Sequence, residues 1–162
     1  MSYANRGKTL EKMIEMTNNI YKQRGIATVQ KIPTPVKVLN VKKNGKLTGF
    51  YESKSTVDYV GVWNGQAICF DAKETKVETR FDLNNLKDHQ YDYMKKWNES
   101  NGVAFLIVSF TAKGENYYLP FDDLSYWWET ADRKSIPYDS FEHLIKEGKT
   151  PVDYIQKIKE VE

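Results

Sequence analysis

Residues 55–75 read STVDYVGVWNGQAICFDAKET, and the dipeptide Asn64-Gly65 in their middle decides how the chain is organised. Asn-Gly suits a type I′ turn, in which both central residues need positive φ, so the flanking apolar runs at 60–63 and 66–70 are predicted to form a tight β-hairpin. Side chains alternate across a strand, which puts Ile68, Phe70 and Ala72 on one face and Cys69, Asp71 and Lys73 on the other. With the first strand starting near Asp58, the hairpin folds that carboxylate back beside Asp71 and Lys73. Two acids and one amine then converge at one end of a small sheet.

Such a group has a chemical use. Two carboxylates offer the hard oxygen ligands that Mg²⁺ takes, with positions left for water and a phosphate oxygen. A neighbouring lysine orients a nucleophile and shares the charge that develops on a phosphodiester. The same spacing has a second reading, a solvated strand face carrying an Asp-x-Lys pair, with Asp58 capping a turn.

At 162 residues, with 40% hydrophobic and 28% charged side chains, the chain is expected to be one globular domain, neither disordered nor membrane-spanning. No apolar run approaches the length of a spanning helix, and MSYANRGKT at the start lacks the apolar segment of a secretion signal. Cys69 is the sole cysteine and is expected as a small buried side chain in a reducing compartment, so a cytoplasmic protein is predicted.

The net charge of +2 conceals an asymmetry. Residues 1–57 carry 11 Lys and Arg against 3 Asp and Glu, while the remainder is net acidic. A basic block of this kind fits a phosphate backbone, because neutralised phosphates release their counterions. It also fits a surface kept soluble by lysines.

Around the hairpin the chain alternates helix and strand signals. Thr9 is placed to cap a helix running to about Arg24, with Gly25 as its stop and Leu10, Met13, Ile14, Thr17, Ile20 and Tyr21 as the buried stripe. Glu11 lies on the flank of that stripe, facing either the acid pair or solvent. Arg6, in the Asn-Arg-Gly segment before the helix, has the guanidinium geometry to clamp a phosphate. A strand is predicted over 26–31, ended by Pro33 and Pro35, and a second hairpin over 36–54 turns at Asn44-Gly45 with Lys42, Lys43 and Lys46 at its tip.

After a polar link at 74–80, a helix is expected over 83–100 with Gln90 on its apolar face. A buried amide there needs a partner, since leaving it unsatisfied costs on the order of 1–3 kcal/mol. The metal or its water is one candidate and a backbone group is the other. Residues 103–110 form a continuous apolar run and read as a central strand, followed by a strand over 116–121 and helical segments over 122–130, 138–146 and 151–161. The fold class expected is α/β, a mixed central sheet flanked by helices, with the 36–54 hairpin protruding.

Taken in order, Asn5-Arg6-Gly7-Lys8-Thr9-Leu10-Glu11, Thr17-Asn18, Lys31-Ile32-Pro33-Thr34-Pro35, Ser55-Thr56-Val57-Asp58-Tyr59, Phe70-Asp71-Ala72-Lys73-Glu74-Thr75, Asp88-His89-Gln90 and Val108-Ser109-Phe110 resemble the successive motifs of RecU-type Holliday junction resolvases, members of the restriction-endonuclease-like PD-(D/E)xK nuclease class. The resemblance implies a homodimeric enzyme that cuts paired strands of a four-way DNA junction with Mg²⁺, or with Mn²⁺ in its place. It implies that Asp58, Asp71 and Gln90 surround the metal and that Lys73 orients or activates the attacking water. Glu11 matches an acidic position of the first helix. Arg6 and Lys31 match basic positions used for DNA binding or catalysis, and the 36–54 hairpin matches the stalk that enters the junction. This chain departs from the family in having Asp71 where glutamate is usual, a shorter stalk, and no proline just before the Ser-Thr-x-Asp motif. Two alternatives stay open: a nuclease of the same class acting on linear duplex or flaps, and a junction-binding accessory protein that does not cut.

Overall fold

The structure is a computed structural model and describes residues 9–54 and 56–161. In chain order its elements are α1 (Leu10–Gln23), β1 (Ala27–Lys31), β2 (Val36–Val41), β3 (Leu47–Tyr51), β4 (Tyr59–Trp63), β5 (Gln66–Thr75), β6 (Arg80–Asp82), α2 (Asp88–Glu99), β7 (Val103–Phe110), β8 (Glu115–Pro120), α3 (Phe121–Thr130), β9 (Ser135–Pro137) and α4 (Tyr154–Val161). Asn64 and Gly65 sit at φ of 48° and 76°, as a type I′ turn requires, and they set β4 antiparallel to β5 with Tyr59 opposite Phe70.

Five strands form the main sheet in the order β1-β4-β5-β7-β8. The β5–β7 pairing is parallel and the other three are antiparallel, which makes the sheet mixed as expected. A parallel neighbour demands a crossover, and α2 supplies it. All eight residues of β7 are buried, because helices cover both faces of the sheet at its centre. On one face α1 and α4 pack over Ile68, Phe70, Phe105 and Ile107; on the other α2 and α3 pack over Cys69, Ala104, Leu106 and Val108. Tyr59, Phe70 and Phe105 stack in series with ring centroids 4.8 and 4.7 Å apart, pinning three adjacent strands in register.

Strand β1 approaches β4 so closely at Gly61 that an added Cβ would lie 2.3 Å from the Thr28 carbonyl oxygen. Thr9 caps α1 as expected, its Oγ1 accepting from the Lys12 N–H at 3.4 Å, and Gly25 follows the helix at φ 64°. Ile20 is only half-buried, and Asn18 takes its place in the interior by accepting from the Tyr154 hydroxyl at 2.6 Å.

The second hairpin stands apart as a two-stranded ribbon whose residues are all exposed. Its tip is a three-residue loop, with Lys42 N–H donating to Lys46 O at 2.8 Å and Gly45 at φ 79°. Leu39 is the extra residue of a β-bulge, since Val38 pairs with Gly49 and Asn40 with Thr48.

Four expectations are corrected. The helix expected from residue 83 begins at Asp88, after a 3₁₀ turn over Leu83–Asn85 that Asp82 caps through the Asn84 N–H at 2.9 Å. Residues 80–82 are strand and pair with β9. The segment 138–146 is not helical: past a 3₁₀ turn at Tyr138–Ser140 it runs extended along β8, where Tyr118 N–H donates to His143 O and Ile145 N–H to Asn116 O. Those bonds satisfy an otherwise open sheet edge, and a helix would forgo them. Helix α4 starts at Tyr154, because Val152 N–H is taken by Thr17 Oγ1 at 3.1 Å.

Candidate active site

Strand alternation and hairpin register assemble the site at the C-terminal end of β5. Asp71 stands on the face of β5 covered by α2, beside Leu106 of β7, and is completely buried. Asp58 lies just before β4 and reaches over to accept from the Ala72 N–H through Oδ2 at 3.2 Å. Asp71 Oδ1 accepts from the same N–H at 3.0 Å, so the two carboxylates share one donor. Lys73 places its Nζ 3.3 Å from Asp71 Oδ2 and donates to Gln90 Oε1 at 3.3 Å.

Asp71 Oδ2 is buried without a hydrogen bond, since the Lys73 ammonium is near enough to pair its charge but not aligned to donate. Burial first, and then the neighbouring Asp58 carboxyl, push the Asp71 pKa from 3.8 up to about 8, against the opposing pull of Lys73. Two crowded acids, one with an orphaned oxygen and too little positive charge around it, form an oxygen-donor set suited to a divalent cation. Among the described residues no three His, Cys, Asp or Glu side chains gather as a metal site, so the acids act as a pair. Mg²⁺ is commonly held by one or two carboxylates together with water and substrate phosphate.

A cavity of about 320 Å³ opens beside the pair, lined in part by Glu11, Lys31, Asp58, Tyr59, Lys73 and Glu74. Glu11 and Lys31 form an ion pair with each other across its rim, and this holds the Lys31 pKa above its usual value. Lys42, Lys43 and Lys46 are exposed at the tip of the ribbon, away from this cavity. Arg6 lies outside the described residues. Gln90 is buried on α2, and its Oε1 meets Lys73 Nζ and the Lys87 N–H rather than standing free for a metal.

Two residues of the cavity wall were not singled out from the sequence. Glu74, on the opposite face of β5 from Lys73, accepts from the Leu10 N–H at 2.8 Å and thereby ties α1 to the catalytic strand. The Thr9 cap signal, combined with strand alternation, pointed to that contact. Tyr59 brings a buried hydroxyl without a partner, and no pattern marked it.

The fold and site define an α/β protein of the paired-carboxylate-and-lysine kind, built to hold a divalent cation at the end of a mixed sheet. The family follows from comparison. The chain belongs to the Recombination protein U (RecU) family, matched over residues 5–160. It is 41% identical over 170 aligned positions to the Holliday junction resolvase RecU of Bacillus pumilus, covering 98% of this chain and 82% of that protein. It is 40% identical to the protein of the same name from Geobacillus kaustophilus, covering 98% and 86%. For Bacillus subtilis the figures are 39% identity with 99% and 82% coverage. Among solved structures, the Archaeoglobus fulgidus Holliday junction resolvase Hjc overlaps 79% of this chain and 90% of its own, at a TM-score of 0.44 and 7% identity, too slight a likeness to carry an argument.

Proposed function

We propose that this chain is a structure-selective endodeoxyribonuclease that resolves four-way DNA junctions by hydrolysing phosphodiesters, as the names of its relatives say of them. The observation that carries the chemistry is the Asp58–Asp71 pair with its orphaned Oδ2 and with Lys73 Nζ 3.3 Å away. Asp58 and Asp71 would hold Mg²⁺, or Mn²⁺ in its place. When bound, such an ion acidifies water and neutralises charge on the phosphate.

The remaining roles belong to the protein. Lys73, with its side chain largely buried between Asp71 and Gln90, presents a fixed ammonium that orients the attacking water and shares the charge growing on the phosphoryl oxygens. Lys31, exposed at the cavity rim, is available to a phosphate when it leaves Glu11. The ribbon with Lys42, Lys43 and Lys46 extends the basic surface toward branched DNA. Two symmetric nicks across a junction call for two sites related by a twofold axis, hence a homodimer. No described helix is long and apolar enough to cross a membrane, and we place the protein in the cytoplasm with its DNA.

The test is cleavage of an end-labelled four-way junction in Mg²⁺. Wild type gives paired symmetric nicks, and Asp58→Ala or Lys73→Ala abolishes cutting while largely sparing junction binding. Cutting that persists in both variants removes the proposed site.

A further inference from the structure

We infer that Gln90 is a positioning residue for Lys73, a bracket that transmits the rigidity of α2 to the amine, and not a metal ligand. This rests on the reading of Lys73 given under the proposed function and deepens it. A lysine ends in a point charge on a four-carbon stem, and holding it in one place costs up to about 2 kcal/mol of rotamer entropy. Something must take up that freedom if the amine is to meet a water at a fixed angle.

Gln90 Oε1 does so. It accepts from Lys73 Nζ at 3.3 Å and from the Lys87 N–H at 3.1 Å. The backbone donor belongs to the first turn of α2 and would otherwise lack a partner, so the carboxamide is anchored to the helix itself. Lysine has no acceptor to return the bond, so Gln90 forms half of a capping box. Because both neighbours are donors, the side-chain atom between them is the oxygen, and its orientation is settled by chemistry. An amide oxygen has two lone pairs, and both are engaged. With only 8% of the residue exposed, Gln90 has little room to swing toward a cation without giving up both bonds.

The variant that isolates this role is Gln90→Met, similar in length and without a comparable acceptor. Its kcat on a four-way junction is expected to fall about tenfold or more with KM for the junction unchanged. Its Mg²⁺ affinity, measured by titration calorimetry on the full chain without DNA, is expected to stay within about twofold of wild type. Asp71→Asn, run alongside, loses the Mg²⁺ signal. A weakened Mg²⁺ affinity in Gln90→Met, with cleavage restored by excess Mg²⁺, makes Gln90 a ligand and overturns the inference. An unchanged kcat with a lower melting temperature leaves it a helix cap and overturns it equally.

Should the methionine variant not fold, Gln90→Glu keeps an acceptor for both donors and is expected to retain cleavage; a loss as complete as that of Lys73→Ala would refute the bracket. Lys73→Ala also separates the two levels of the argument. If it still cuts, the proposed function fails. If it is inert while Gln90→Met cuts like wild type, only the bracket fails.

Discussion

Replacing Asp71 by asparagine should make the protein more stable and inactive at once. Asp71 is fully buried next to Asp58, and its pKa rises from 3.8 to about 8 through burial and that neighbour. A carboxyl whose folded pKa lies above its unfolded value contributes fully to stability below about pH 4 and loses that contribution progressively up to about pH 8. Each pH unit in the window is worth about 1.4 kcal/mol, so at pH 7 folding without a cation loses on the order of 4 kcal/mol by binding a proton there. An amide imitates the protonated acid with no proton to take up. Its oxygen can keep the bond from the Ala72 N–H, and its nitrogen can donate toward Asp58. For a domain of this size about 2–4 °C of melting temperature accompanies each kcal/mol, so Asp71→Asn is expected to melt roughly 10 °C higher than wild type at pH 7 in EDTA. The gap should nearly vanish at about pH 4, and saturating Mg²⁺ at pH 7 should narrow it by stabilising only the wild type. Circular-dichroism melts of both proteins at the two pH values make the comparison. Equal gaps at both, or a variant less stable than wild type at pH 7, would refute the account of the buried acid.

Gly61→Ala puts a Cβ 2.3 Å from the Thr28 carbonyl oxygen, so it should lower stability by roughly 1–3 kcal/mol or more, read as an earlier midpoint in urea. Replacing residues 37–50 with a short turn removes only exposed residues, so the melting temperature should hold within a few degrees while the preference for junction over linear duplex in competition binding is lost.

The parts legible in the sequence were those with short-range causes. Asn64-Gly65 specified its hairpin because few dipeptides tolerate two positive φ angles, and from the hairpin followed the meeting of Asp58 with Asp71. The unbroken apolar run of β7 announced a strand covered on both faces. What escaped depends on partners distant in sequence. Strands β6 and β9 have three residues each, too few to show a period, and they exist because Arg80–Asp82 meets Ser135–Pro137. The segment 138–146 has residues that would serve in a helix, yet the open edge of β8 offered its backbone a better use. Gln90 was recognised as needing a partner, but whether that partner was a cation or an amine depended on how α2 sits against β5.

The two-residue turn between β4 and β5 also sets a timetable. Asp58 and Asp71 are thirteen positions apart and meet once that hairpin zips up, an event of microseconds. Gln90 arrives only with the parallel crossover that seats β7 and draws α2 onto the sheet, a far slower closure. The nascent chain therefore gathers its mutually repelling charges before the scaffold that restrains them exists, and the stretch of sequence most needed for cutting DNA is also the one that most resists its own assembly.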